Sequence, residues 1–237
     1  MVILADLLQR QAVWRGGAAP IALAAPAIPT GYAGLDAELP GGGWPAGGLA
    51  EVLCHTEGIG ELQIVLPALA ALTAAGHRVA WLAPPHLPYA PALQAAGVRL
   101  GLLTVIRAPG RRDALWAAEQ ALRARSFHAL LLWLPRAGYP ELRRLAVAAQ
   151  AGSGFALAFR PPETACEFSP AVLRLELDPG SGPGLGIRIL KRRGAPVEVP
   201  FSIPIERPFF KPSAHALGRP PFPAIPAPGV VARACAA

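Results

Sequence analysis

Between residues 49 and 160, short and almost uninterrupted apolar runs alternate with stretches of helical periodicity, and few folds accept that pattern. Residues 49–55, 78–83, 102–107, 128–134 and 155–160 read as strands, the fourth made almost wholly of Leu and Trp. Residues 60–75, 89–96, 111–125 and 139–151 read as the helices between them. A strand without polar alternation needs cover on both faces, and strands that alternate with helices pair in parallel. The expectation is an α/β fold: a mostly parallel sheet flanked by helices. Residues 172–178, 185–193 and 197–205 then follow as strands without helices between them, an antiparallel C-terminal extension. Residues 1–15 read as an N-terminal helix carrying Leu4, Leu7, Leu8, Val13 and Trp14, and 16–29 as an Ala/Pro/Gly linker. The core is expected over 30–205, with a Pro-rich tail over 206–237.

Composition narrows the classes. Apolar residues make up 53% of the 237 and charged residues 16%, so there is ample side chain for a core and wholesale disorder is excluded. The uncharged stretches 16–35 and 79–98 are broken by prolines, which argues against a membrane span or membrane partner. Three widely spaced cysteines carry no zinc spacing, and a cytoplasmic, reducing setting is expected. His77, His86 and His128 have no second ligand nearby in sequence, so no metal site is read. Trp81, Trp116 and Trp133 sit on apolar elements and are expected in the core. The net charge is +7, and residues 99–144 alone carry nine arginines against three acids. That asymmetry suits an acidic partner or nucleic acid, and Arg143, Arg144 and Arg160 are weak candidates for DNA backbone contacts.

The most informative segment runs from Thr30 to Gln63. A strand ending near Cys54 passes through a Gly-containing loop into a helix, where a phosphate-binding loop GxxxxGK[ST] would sit. With Gly60 as the second glycine, His55 stands at the first, Glu61 at the lysine and Leu62 at the Mg-binding hydroxyl. A carboxylate repels a triphosphate, and a leucine offers Mg²⁺ no oxygen. The expectation is a degenerate nucleotide site, with no cofactor, no catalytic residue and no enzyme activity.

Thr30-Gly31, Leu35-Asp36, Gly41 to Gly43, Pro45, Gly47 and Glu51-Val52 resemble the opening of the RecA recombinase core, and the element order is similar. The resemblance implies a RecA-like P-loop-type core. It places Pro85 where the catalytic glutamate belongs and Trp133 where the Mg-associated aspartate belongs. Further segments resemble the ImuA family, RecA-like accessory proteins of translesion-synthesis cassettes. They are Val13 to Gly16, LDAELPGGGWP from Leu35, GIGEL from Gly58, VAWLAPPHLPYAPAL from Val79, ALWAAEQALR from Ala114 and ILKRR from Ile189, within residues 4–205. That family resemblance implies a non-catalytic adaptor in SOS-induced mutagenesis, with RecA, ImuB and a DnaE-type polymerase as partners. The RecA resemblance places Lys191 and Arg193 on the strand that faces a neighbouring protomer, so Lys191, Arg192 and Arg193, with Leu7, Leu8 and Trp14 of the apolar N-terminal helix, are the candidate partner-binding residues. Two alternatives stand beside it: a SulA-like cell-division inhibitor that binds FtsZ, and a residual ATPase. The Thr30 to Val52 opening argues for the first reading over SulA.

Overall fold

The computed structural model describes residues 27–55, 58–179, 184–194 and 200–204. The expected N-terminal helix with Leu7, Leu8 and Trp14, and the tail 206–237, lie outside them. Along the chain come β1 (Ala27–Ile28), α1 (Ala33–Glu38), β2 (Trp44–Pro45), β3 (Leu49–Cys54), α2 (Leu66–Ala74), β4 (Val79–Leu82) and α3 (Ala90–Ala95). They continue as β5 (Leu103–Ile106), α4 (Arg111–Arg123), β6 (Ala129–Trp133), α5 (Tyr139–Ala149), β7 (Phe155–Arg160), β8 (Leu173–Asp178), β9 (Gly184–Lys191) and β10 (Phe201–Pro204). The linker expected over 16–29 gives way to β1, which pairs with β2. Gly43 permits this approach, since a Cβ there would lie 2.2 Å from the Ile28 carbonyl oxygen.

The main sheet has eight strands in the order β10-β9-β8-β3-β7-β6-β4-β5. The six strands from β8 to β5 are parallel, while β9 and β10 add antiparallel pairs at the β8 edge. Successive residues of a strand point to opposite faces, so the apolar runs feed two cores. Leu131, Leu157, Phe155, Phe159 and Trp81 face one side with Leu35, Leu69 and Leu93 from α1, α2 and α3. Leu130, Leu132, Ala80, Ala156 and Ala158 face the other with Ala114, Ala118, Leu142 and Leu145 from α4 and α5. Bulky side chains dominate the first core, whereas the second mixes leucines with alanines from both the sheet and the helices.

One charge sits in the middle of this apolar sheet. Glu51 on β3 is fully buried. Its Oε2 accepts a 2.6 Å hydrogen bond from Arg174 Nε on β8, and its Oε1 one of 3.3 Å from Arg160 Nη1 on β7. The guanidiniums reach onward. Arg174 donates to the carbonyls of Thr164, Ala165 and Glu167, and Arg160 to the Ala137 carbonyl and the Glu167 carboxylate. The three charges thereby clamp the β7–β8 connection onto the three central strands. Arg160, expected as a DNA contact, is instead buried core: its side chain is 2% exposed. Burying charge is tolerable only with such pairing, and removing one member strands the rest.

His77 and His128, ahead of β4 and β6, stack with ring centroids 3.8 Å apart. His128 Nδ1 is buried without a partner among the described residues. Burial, with the neighbouring His77, holds His128 below its ordinary value of 6.5. A depressed folded-state value means the unfolded chain binds the proton more readily, so stability is lost as pH falls below about 6.5. No described helix is long and apolar enough to cross a membrane.

Two outcomes are expected. Glu51→Ala lowers stability by about 3–5 kcal/mol, read as a lower urea midpoint with an unchanged m-value. His128→Phe flattens the fall in melting temperature between pH 7 and pH 5; an unaltered slope would remove His128 from the acid sensitivity.

Candidate functional site

From β3 the chain crosses to β4 on one side, and β8 is later laid against β3 on the other. Open α/β sheets bind ligands beyond the carboxyl ends of their strands at such a reversal. The loop after β3 lies there. The sequence predicts a helix from Gly60, but the structure shows turns, and α2 begins only at Leu66. Gly58 and Gly60 have φ of +81° and +104°, a region glycine tolerates and other residues avoid. Pro67, at the start of α2, fits there because the first helical N–H groups have no intrahelical partner.

Glu61 explains the loop's shape. Its carboxylate accepts from the Gly58 N–H at 3.1 Å and from the Gly60 N–H at 3.2 Å. Backbone N–H groups in a glycine-containing turn can hold an external anion, and here the chain supplies its own carboxylate to them. Cys54, at the end of β3, is a free thiol. Burial pushes it up to about 12, with the Glu61 charge adding, so it stays protonated at neutral pH and is no nucleophile. His55 turns away from this loop. Its Nε2 lies 3.0 Å from Glu176 Oε1, and Arg188 Nε donates to Glu176 Oε2 at 2.7 Å.

Beside the loop a cleft of about 800 Å³ opens between α2, the segment 84–89 and α3. Glu61, Leu62, Pro85 and Trp133, the four positions read from sequence as losses of nucleotide chemistry, all line it. His55 does not. The walls are otherwise aromatic and proline-rich: Tyr32, Trp81, Tyr89, Pro84 and Pro88, with Leu87. Tyr32 is fixed by its hydroxyl, which donates to the Gln63 carbonyl at 2.9 Å. Trp133 stacks on Phe159 at 4.9 Å and meets Trp81 at 5.5 Å. Leu87 and Tyr89 stand on the rim, 74% and 67% exposed. Among the described residues Glu61 is the cleft's single carboxylate, and neither Lys nor Arg lines it.

The other sequence candidates disperse. Lys191 Nζ donates to the Ser169 carbonyl at 2.8 Å. Arg192 is largely buried and grips the Glu38 carbonyl and carboxylate, which ties the end of β9 to α1. Arg193 lines a small cavity of about 80 Å³ near the start of β3. Arg143 and Arg144 are exposed on α5. Of the tryptophans expected in the core, Trp81 is buried, Trp133 is half-buried in the cleft wall and Trp116 is 65% exposed on α4. Sequence reasoning missed the aromatic wall, although PPHLPY was an available signal: prolines and an aromatic right after a strand cannot all be buried.

No family model matches the chain. Over 83 residues it is 36% identical to the cell division inhibitor SulA of Edwardsiella piscicida, a match covering 35% of this chain and 49% of that protein. The chain thus spans about half the length of the curated relative it matches, and is SulA-like over that segment. The crystal structure of SulA from Pseudomonas aeruginosa superposes with a TM-score of 0.41 and 25% identity, over 49% of this chain and 99% of that one. A superposition that loose carries no argument.

With Glu61 accepting from the loop's N–H groups, silence toward nucleotides is the expected outcome. Millimolar Mg-ATP should leave the melting temperature unchanged, because only a ligand that binds the native state raises it. Glu61→Lys with Leu62→Thr should not create turnover, since Pro85 and Trp133 still supply no carboxylate. Measurable hydrolysis by that double variant would place the carboxylates elsewhere.

Proposed function

We propose that this chain is a non-catalytic, SulA-like protein of the cytoplasmic SOS response, and that it acts by binding another protein. The observation that carries this reading is the cleft beyond the carboxyl ends of the sheet. Aromatic, proline, leucine and alanine side chains make up most of its wall, and the one carboxylate among its described lining residues accepts hydrogen bonds from the loop beside it. Such a surface suits an apolar peptide segment and opposes a polyphosphate. The similarity to a cell division inhibitor supports FtsZ as the target. A degenerate RecA-like core is the ancestry that fits the substitutions at Glu61, Leu62, Pro85 and Trp133.

A second reading rests on extent. The SulA match covers 35% of the chain, whereas the ImuA-like segments are spread across residues 4–205. On that reading the same surface serves a translesion adaptor that contacts RecA, ImuB and a DnaE-type polymerase.

The two separate in one comparison. The full chain should suppress GTP-driven assembly of purified FtsZ, followed by light scattering. Leu87→Asp with Tyr89→Asp should weaken that effect roughly tenfold, since both residues are exposed rim anchors. Unaltered FtsZ assembly, with recovery of RecA, ImuB or the polymerase by a tagged chain from DNA-damaged cells, would move the protein to the second reading. Failure of both would remove protein binding through this cleft.

A further inference from the structure

The cleft holds almost no charge; the helices on the other side of the sheet hold a great deal. α4 and α5 pack side by side over the second core, and the Arg111–Glu141 ion pair at 2.5 Å joins their first turns. Each connects two parallel strands of one sheet, so the two helices run in the same direction. α4 buries Ala114, Ala118 and Ala121, which turns Arg112 and Trp116 outward. α5 buries Leu142, Leu145 and Ala149 and exposes Tyr139, Arg143, Arg144 and Val147.

The acids of this face are already matched. Glu141 pairs with Arg111 and Glu119 with Arg123 at 2.6 Å. Asp113 sits in the first turn of α4, where its charge offsets the helix N-terminus. Arg112 and Arg143 have no ion-pair partner among the described residues. On each helix an unmatched arginine stands one turn from an exposed ring: Arg112 from Trp116, and Arg143 from Tyr139. Trp116 is 65% exposed and Tyr139 44%.

We propose that this face binds single-stranded DNA, with phosphates on Arg112, Arg143 and Arg144 and bases stacked on Trp116 and Tyr139. Unmatched guanidiniums complement a polyanion, and their forked donors suit phosphate oxygens. The exposed rings separate a nucleic acid from a bare anion, because every base has a face to stack. A duplex keeps its base faces in its own stack and offers these rings nothing, so the strand is single. Trp116, Tyr139 and Val147 stand singly among arginines, whereas a protein interface needs an apolar centre from which charge is depleted. The choice of DNA over RNA rests on the SOS reading. The surface itself does not, since it lies across the sheet from the cleft.

The test is fluorescence anisotropy of a fluorescein-labelled oligo(dT) of about 25 nucleotides with the full chain. Binding should be saturable at about 50 mM KCl and roughly 20-fold weaker at about 200 mM, the salt dependence of some three phosphate contacts to a single strand. Trp116→Ala should weaken it about tenfold and leave the salt slope unchanged, because stacking is not ionic. Arg112→Glu with Arg143→Glu should weaken it further and lower the slope by about 1.4. All three residues are exposed, and an unchanged urea midpoint checks that the fold is intact. Leu87→Asp with Tyr89→Asp should bind DNA as the wild type does, and Trp116→Ala should act on FtsZ as the wild type does, so failure of this surface and failure of the cleft are told apart. No saturable binding at the lower salt, or a Trp116→Ala affinity equal to wild type, overturns the proposal. Poly-L-glutamate that displaces the oligonucleotide as well as unlabelled oligo(dT) would assign the face to an acidic protein instead, and tighter binding of oligo(U) would assign it to RNA; either overturns it.

Discussion

The whole arrangement depends on Glu51 and the two guanidiniums that close over it. A carboxylate fully withdrawn from water at the centre of a parallel sheet is tolerable only because Arg160 and Arg174 meet it from the neighbouring strands. Those arginines then satisfy backbone carbonyls of the segment 164–167 and of Ala137. The three strands that carry the topological reversal are thus locked in register. The β7–β8 connection, which follows the carboxyl end of the sheet, has little freedom left. A hydrophobic substitute would have stabilised β3 as well, but it would not have reached out to hold a loop.

On that fixed base the loop after β3 resolves its own electrostatics. Its N–H groups need an acceptor, and Glu61 supplies one from three residues away. The consequence reaches beyond the loop. A carboxylate at this point opposes phosphate and adds to the burial that raises the Cys54 thiol, and neither Lys nor Arg among the described residues lines the neighbouring cleft. With that carboxylate held by the loop's N–H groups, apolar and aromatic side chains can occupy the walls around it. The residue that opposes phosphate at this loop, Glu61, also borders the apolar walls of the cleft.

Much of the scaffold was legible. Strands buried on both faces need unbroken apolar runs, and β3, β4, β5, β6 and β7 fall within a residue or two of the runs expected. The misses have specific causes. The helix expected from Gly60 starts at Leu66, because glycines at positive φ and an internal carboxylate favour turns, and periodicity does not register either. Arg160 read as surface because charge is normally solvated; its burial is visible only once Glu51 is known to be two strand positions from it. Trp116 and Trp133 read as core because an apolar element does not announce which of its residues lies at the rim. Lys191, Arg192 and Arg193 are consecutive in sequence, yet they address three different neighbours. The cleft was half legible: Glu61, Leu62, Pro85 and Trp133 were read as losses, and their convergence on one surface is what the fold adds.

That convergence bears on how such a protein meets its partners. An apolar cleft with exposed Leu87 and Tyr89 at its rim is a liability in a crowded cell, because unpaired apolar surface invites unintended partners. The Trp133–Phe159 stack ties one wall to the strands beneath it, so the cleft is a fixed feature of the sheet's edge and its rim residues are what a partner meets first.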